Sequence, residues 1–415
     1  MNQYDVRAKE HERTAIRRVK KLGKLFTCTN NENFIEKVDS KFIYFRTIQS
    51  KSANKVSREM IRKAIAYLLY KRSVTRTQLE KFNHFNSFIM GFIRLALVDI
   101  KQIARLQVLT NRAHRIVMKG TRFYFAGVCR DKKMMGMINE YSKAPDNWVL
   151  MSYWNLRHDK HENWKKNARK YKCKVLLDSG EFSYYKARKK LREQQRLIAT
   201  MVEGTHQWSQ QLLVVQEQTL KTVPISIREY AAFVKNHQDI IFGFLNLDVV
   251  GDSIKSKINA NYLRSRGVSP IEIWHPQSGF DALREMVAED HELIAIGGLV
   301  FLSEKERGQI LDQVFTLYPD QPFHILGCSS KALYRYPIHS SDSTGPIMGR
   351  RFLSLITETG HQKADVDHNW HDWSVDEALA FNISQLSRLE EAYDGVQIEL
   401  VTPPIIHTGT QLSIF

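Results

Sequence analysis

The sequence predicts an α/β protein, a (β/α)8 TIM barrel preceded by a basic, mainly helical N-terminal domain. From about residue 121, short apolar segments alternate with amphipathic segments of helical period, as in parallel sheets covered by helices on both faces. Eight apolar segments are present, the number of strands in such a barrel. An open, doubly wound sheet is the alternative, but no GxGxxG motif follows the first strand. We expect the helical domain over 1–118, the barrel over 119–355 and an extension packed on it over 356–415.

Three helices are predicted before the barrel. Ser57 and Thr75 are suitable N-caps for the first two, and apolar residues recur at helical spacing in the first. A helix, a basic turn and a short helix resemble a helix-turn-helix, although a generic phosphate-binding helical bundle gives the same pattern. The three predicted helical segments are Val56–Tyr70, Arg72–Glu80 including its turn, and Phe85–Leu109.

The barrel prediction places strands and helices in alternation. A Gln-rich segment, Val202–Val223, interrupts the alternation and is interpreted as an insertion. A capping box of Ser374 and Glu377 starts a further helix that ends at Glu391, and 395–415 is expected to be extended. The predicted strands are Arg122–Val128, Trp148–Tyr153, Lys174–Leu177, Ile240–Leu247, Ile271–Trp274, Leu293–Ile296, Phe323–Leu326 and Tyr336–Ile338. The predicted helices are Asn155–Tyr171, Ser183–Met201, Ile227–Asn236, Ile254–Arg266, Asp281–Glu289 and Glu304–Leu317.

Positive charge is concentrated at the start of the chain. The protein carries a net charge of +17, and residues 1–120 hold 26 basic and 9 acidic side chains. Residues 121–200 are also basic, with 19 basic against 8 acidic side chains. Such concentration favours a polyanionic partner, most simply nucleic acid, over a merely lysine-rich surface. Arg72 and Arg76 in the basic turn, and Arg350 and Arg351 after the last strand, are candidates for contacts with phosphates.

Composition excludes several other classes of protein. No apolar stretch approaches the roughly 18 residues of a membrane span, and residues 1–12 are too polar for a secretory signal, so we expect no membrane partner. The four cysteines form no CxxC pair, which argues against a zinc ribbon or a disulfide framework and is typical of the reducing cytoplasm. These cysteines are Cys28, Cys129, Cys173 and Cys328.

Three aspartates follow or end predicted strands. Asp178, Asp248 and Asp342 are each expected at the carboxyl end of a strand, where barrel enzymes place their chemistry. Any one of them could simply cap a helix or form a turn, but three at one end of a barrel favour a site. Two carboxylates can serve as nucleophile and acid/base at an anomeric carbon, and a third can accept hydrogen bonds from a purine.

The strand ends resemble the tRNA-guanine transglycosylase family in five features, in order, over about residues 121–355. Asp178-Ser-Gly-Glu-Phe is similar to the family's Asp-Ser-Gly-Gly-Phe signature, and Ile294-Ala-Ile-Gly-Gly-Leu to its Gly-Gly-Leu strand. His324-Ile-Leu-Gly-Cys followed by Asp342 resembles the strand that precedes the nucleophile. Asn246-Leu-Asp-Val, Asn259 and His275 are more similar to the DNA-modifying branch (the DpdA type), which inserts 7-deazaguanines into the DNA of phages and bacteria.

This resemblance implies a base-exchange transglycosylase, a pentosyltransferase that replaces guanine in double-stranded DNA with a 7-deazaguanine such as 7-cyano-7-deazaguanine. It implies Asp342 as the nucleophile and Asp178 as acid/base, without ATP or a redox cofactor. A phage-encoded enzyme of this kind would act in the cytoplasm of the host. The residues expected to bind the base are Asp248, Ser179, Gly180, His275, Gln277, Gly297 and Gly298.

The sequence departs from the family at two places. No cysteine follows Cys328, so the family's cysteine ligands for zinc are absent, and His361, His368 and His371 are weak substitutes in a polar loop. The family's Gln in strand five is replaced by His275-Pro-Gln277, and either side chain could take its role.

Other interpretations of the sequence remain open. They are a tRNA-guanine transglycosylase, a glycosidase that removes a base without inserting one, and a non-catalytic nucleic-acid-binding subunit. The sequence also allows a homodimer or a partner subunit.

Overall fold

A computed structural model gives the structure of most of the chain. Arg350, Arg351, His368, His371 and the expected extended stretch 395–415 lie outside the described residues. The structure describes residues 3–27, 31–50, 52–97, 104–108, 114–118, 120–129, 131–159, 161–249, 251–289, 291–319, 321–347, 354–357, 360–363 and 374–390.

The N-terminal region is a mixed α/β structure, so the prediction of a mainly helical domain is wrong. Four short strands form an antiparallel sheet in the order β1-β2-β3-β4, and its apolar side chains pack with those of the helices in one core. Ile43 and Phe45 alternate with polar neighbours, the pattern of a half-buried strand. The elements are α1 (Gln3–Leu22), β1 (Lys24–Phe26), β2 (Glu32–Val38), β3 (Phe42–Thr47), β4 (Asn54–Ser57), α2 (Arg58–Lys71), β5 (Ser73–Thr75), α3 (Asn86–Ala96), β6 (Ala104–Val108) and β7 (His114–Met118).

The helix-turn-helix prediction is also wrong. Ser57 does precede a helix, α2, but the chain then enters strand β5 and a single 3-10 turn over Thr77–Lys81. The Gln78 N–H donates to Thr75 Oγ1 at 3.3 Å, so Thr75 caps only this turn. The predicted third helix ends at Ala96, and part of its remainder is strand β6, which pairs with β7 in a three-stranded sheet, β5-β7-β6. Backbone pairing therefore replaces helix in this segment.

The second part of the chain forms one eight-stranded, all-parallel, curled sheet, which confirms the prediction of an α/β fold and is compatible with a TIM-like barrel. Successive strands along the chain are neighbours in the sheet, and the last strand pairs with the first. The two edge strands meet at one bridge, where the Ile271 N–H donates to Phe244 O at 2.8 Å. The strands are β8 (Arg122–Ala126), β9 (Asn147–Ser152), β10 (Cys173–Asp178), β11 (Ile241–Phe244), β12 (Glu272–Trp274), β13 (Ile294–Ile296), β14 (Phe323–Ile325) and β15 (Ser340–Ser343).

The eighth strand is displaced from its prediction. The apolar segment Tyr336–Ile338 is not a strand; β15 is the polar segment after it, all of which is buried. Its hydroxyls find hydrogen-bond partners inside the barrel; for example, Ser341 Oγ lies 2.8 Å from Ile325 O and 2.8 Å from Cys328 O. Asp342 therefore lies within the strand rather than beyond its end.

Helices cover the outside of the curled sheet. The Gln-rich insertion contains helix α8, which pairs with α7 as a helical hairpin before α9 returns to the sheet. The capping box of Ser374 and Glu377 is confirmed. The remaining elements are α4 (Lys132–Tyr141), α5 (Tyr153–Leu156), α6 (Asn163–Lys170), α7 (Glu181–Ala199), α8 (His206–Lys221), α9 (Ile227–Asn236), α10 (Ser253–Ser265), α11 (Gly279–Ala288), α12 (Glu304–Leu317), α13 (Ala332–Arg335), β16 (Ser354–Thr357), β17 (Gly360–Lys363) and α14 (Val375–Arg388).

The N-terminal region packs against the amino ends of the barrel strands. Arg122 begins β8 and is fully buried; it pairs with Glu390 at 2.7 Å and donates to Tyr70 O at 3.0 Å. The Tyr4 hydroxyl donates to Asp146 Oδ2 at 2.9 Å, immediately before β9. The two strand ends contacted here are amino ends, so the N-terminal region covers the end of the barrel opposite the three aspartates.

Within the described part of the chain, no helix combines the length and apolar character that crossing a membrane requires.

Candidate active site

The structure brings Asp178, Asp248 and Asp342 to the carboxyl end of the curled sheet. Asp178 ends β10, Asp342 lies in β15 and Asp248 follows β11. The pKa of Asp178 is raised to about 7, first by burial and then by the negative charges of Asp248 and Asp342. The three carboxyls therefore lie at one end of the sheet and act on one another across the space that the strand ends enclose. We call this space the mouth of the barrel.

The turn after β10 holds Asp178 in one orientation. The Gly180 N–H donates to Asp178 Oδ2 at 3.0 Å, and Ser179 beside it is buried. Gly180 has a φ of +85°, and a Cβ there would lie 2.4 Å from Ser152 Oγ and from Trp154 Cβ. Only glycine fits at such a position, because both the backbone angle and the space exclude a side chain. Ser152 Oγ is buried without a hydrogen-bond partner and lies directly beneath this turn.

Asp342 is fixed by a different set of partners. The Gly327 N–H donates to Asp342 Oδ1 at 3.2 Å, and His324 Nε2 lies 3.3 Å from the same oxygen. His324 is fully buried, and its Nδ1 lies 2.9 Å from Ser340 Oγ. Asp342 Oδ2 has no hydrogen-bond partner among the residues that the structure describes. One oxygen is therefore held while the other is free to act.

A third carboxylate pairs with the histidine of strand five. His275 Nε2 lies 2.6 Å from Asp248 Oδ2, and Asp248 is 7% exposed. A Cβ on Gly297 would lie 2.6 Å from His275 Cε1, and one on Gly298 would lie 3.4 Å from Gln277 Oε1. The two glycines were predicted to bind the base; in the structure, their lack of a side chain makes room for His275 and Gln277.

Glu181 is a fourth carboxylate at the mouth that the sequence analysis did not single out. Burial, and then the charge of Asp248, raise the pKa of Glu181 to about 7, while Lys255 and Arg188 act in the opposite direction. It is the first residue of α7 and is partly exposed. The sequence did contain a sign of its role, because Glu181 stands where the transglycosylase signature Asp-Ser-Gly-Gly-Phe has its second glycine.

Of the four arginines predicted to contact nucleic acid, only two lie in the described part of the chain. Arg72 is 3% exposed and donates to Gly120 O at 2.7 Å and Glu390 O at 3.1 Å, so its prediction as a phosphate contact is wrong. The reason is that its charge neutralises Glu390 in the interior. Arg76 is partly exposed, at the start of the 3-10 turn in the N-terminal region.

Only His361 of the three candidate metal ligands is described. Its Nε2 lies 3.1 Å from Ser329 Oγ, and burial lowers its pKa. Another group of ligating side chains, Glu272, Glu289 and His291, lies close together at the opposite end of the barrel. Its two carboxylates are paired with Arg264 and Lys257 respectively, so the group is an ion-pair network.

No family model matches the chain, and no curated protein matches it.

Proposed function

We propose that the protein is a base-exchange transglycosylase that replaces guanine in DNA with a 7-deazaguanine. The observation that carries the proposal is a pair of carboxyls with unlike environments at one mouth. Asp342 has one oxygen held by Gly327 and faced by His324, whereas Asp178 has a pKa of about 7. A fixed carboxylate suits a nucleophile, and a carboxyl that titrates near neutrality suits a general acid/base.

The reaction needs two displacements at C1′ of the nucleotide. In the first, Asp342 Oδ2 attacks C1′, the bond from C1′ to N9 of guanine breaks, and Asp178 donates its proton to the leaving base. In the second, Asp178 takes the N9 proton of the incoming base, whose N9 attacks C1′ and releases the Asp342 carboxylate. Two inversions give net retention, and one glycosidic bond replaces another without an external energy source.

Recognition of the base falls to the other side of the mouth. Asp248 can accept hydrogen bonds from the N–H groups of a guanine edge, and His275 holds its carboxylate in place. Gln277 and Ser152, the latter with an unpartnered hydroxyl, add polar groups nearby. A base inside a duplex cannot reach this depth, so the target nucleotide must leave the stack.

The proposal is tested by incubating the purified protein with duplex DNA and 7-cyano-7-deazaguanine and analysing the nucleosides by mass spectrometry. We expect a deazaguanine nucleoside in DNA, none with Asp342→Asn, and normal amounts with Asp281→Asn, whose side chain is 86% exposed. A parallel tube with tRNA tests the substrate: incorporation only there overturns the DNA assignment. Release of guanine without incorporation indicates a glycosidase, and no product in either tube overturns the proposal.

A further inference from the structure

Helix α7 carries a cluster of positive charge and starts at the mouth, whereas the N-terminal region covers the other end of the barrel. Helix α7 begins at Glu181, inside the mouth, and runs for 19 residues, which is about 28 Å. It packs mainly against α8, and near its start against the short helix α5. The rest of the hairpin therefore extends from the edge of the candidate site, whereas the N-terminal region covers the other end of the barrel.

The cations of α7 all lie on the side of the helix that is turned away from its packing stripe. Its less exposed residues, Ala187, Leu191, Gln194 and Ile198, recur at the spacing by which one helix packs on another. At about 100° per residue, all six cations lie outside this stripe. The six cations are Lys186, Arg188, Lys189, Lys190, Arg192 and Arg196, and every one is exposed.

These six cations are not neutralised by the protein. None forms an ion pair with a carboxylate in the described part of the chain, although many other surface cations do so, such as Lys257 with Glu289. Beyond Glu181 at its start, the helix has one acidic residue on this side, Glu193. The helix therefore presents a net positive surface beside a mouth that contains four carboxylates.

Two exposed aromatic side chains lie between the cations and the mouth. Phe182 is 36% exposed and Tyr185 is 46% exposed, on the same open face of α7. The Phe182 ring packs edge-on against Phe301, which follows β13 across the mouth, at 5.5 Å between centroids. Cations next to exposed aromatic rings are the combination that binds phosphates and unstacked bases.

We propose that the open face of α7 holds the DNA strand that flanks the target nucleotide. The choice of DNA as the occupant rests on the proposed function. The charge of the face is complementary to phosphates, its length matches about eight nucleotide steps, and its start at Glu181 keeps the bound strand next to the mouth. Phe182 and Tyr185 contact the bases nearest the nucleotide that has left the stack.

The test compares two quadruple variants of the full chain in a DNA-binding assay. One is Lys186→Gln, Lys189→Gln, Lys190→Gln and Arg192→Gln on α7. The matched control is Lys9→Gln, Arg13→Gln, Arg17→Gln and Lys20→Gln, which removes four exposed cations from α1 of the N-terminal region. Glutamine keeps the helix propensity of both. The dissociation constant for duplex DNA is measured as a function of salt concentration, with circular dichroism to verify folding.

We expect the α7 variant to lose about thirtyfold in affinity at 0.15 M salt if two phosphate contacts disappear, with a salt slope lower by about 2. The α1 variant should bind like the parent. Equal loss in both variants, or loss in the α1 variant alone, overturns the inference. Loss of tRNA binding but not DNA binding in the α7 variant overturns the choice of DNA.

The inference and the proposed function can fail separately. A protein that binds DNA through α7 but incorporates no deazaguanine retains the inference and loses the function. A protein that incorporates deazaguanine and binds DNA equally well without the four α7 cations loses the inference alone.

Discussion

Replacing Asp178 by asparagine should stabilise the fold at alkaline pH and much less at acidic pH. In the folded protein Asp178 keeps its proton up to pH about 7, whereas an ordinary aspartate releases it near 3.8. Between these values the folded state binds more protons than the unfolded state, so the free energy of unfolding falls as pH rises. The whole shift corresponds to a ceiling of about 4 kcal/mol above pH 7.

Asparagine removes this cost because it carries no charge at any of these pH values, and its oxygen can still accept the Gly180 N–H. Between pH 5 and pH 7 the parent loses stability over two pH units, about 2.7 kcal/mol. The stabilisation by Asp178→Asn should therefore be larger at pH 8 than at pH 5 by roughly that amount, or about 3 °C in Tm for a chain of this length. Taking the difference between variant and parent at each pH cancels the titration of all other groups.

Tryptophan fluorescence during thermal unfolding is a suitable assay, because all seven tryptophans lie after residue 120. Asp281→Asn serves as the control, since its exposed carboxyl should give the same small change at both pH values. An effect of Asp178→Asn that is equal at pH 5 and pH 8, or larger at pH 5, would refute the raised pKa and with it the acid/base role.

Three further predictions concern the site and its support. Gly297→Ala should weaken binding of a purine base at least about tenfold, because the new methyl group displaces His275 from Asp248. Calorimetric titration compares this variant with Gly308→Ala, whose Cβ would have nothing within 4 Å. Equal affinities of the two variants would contradict the prediction. Glu390→Ala should lower the free energy of unfolding by about 3–5 kcal/mol, because it removes the carboxylate that pairs with the fully buried Arg122. As a control, Lys133→Ala breaks the exposed ion pair with Asp376 and should lower the free energy of unfolding by under about 1 kcal/mol. Similar losses for both variants in denaturant unfolding would contradict the prediction for Glu390. His324→Leu should slow base exchange about 100-fold in single-turnover kinetics, because it removes the ring that faces Asp342. His324→Gln should recover part of the rate, since the glutamine amide can donate a hydrogen bond to Asp342. Rates equal to the parent's would show that His324 does not position Asp342.

The curled parallel sheet could be predicted because its strands are continuous apolar segments between amphipathic helices. Ile294–Ile296 and Phe323–Ile325 are buried at every position, which leaves a strong signal in the sequence. The eighth strand leaves no such signal in the sequence, because its buried residues are serines. Their hydroxyls form hydrogen bonds with carbonyls and a histidine from other segments of the chain. The position of Asp342 could still be predicted from the motif rather than from hydropathy.

The N-terminal region could not be predicted in the same way. Strand β2 is largely exposed on both faces and shows only a weak alternation, so local pattern does not separate it from a polar loop. Arg72 is a similar case. A basic turn is typical of an exposed surface, whereas Arg72 is buried and pairs with Glu390 from the far end of the described chain.

The buried Glu390 determines when the N-terminal region and the barrel can finish folding against each other. Arg72 belongs to the N-terminal region and Arg122 to the first barrel strand, yet both depend on a carboxylate that follows every strand of the curled sheet. Until that residue has left the ribosome, the fully buried Arg122 at the amino end of the first strand lacks its counterion. Closure of this end of the molecule therefore waits for residue 390, and a nascent chain halted before that residue should remain a substrate for chaperones.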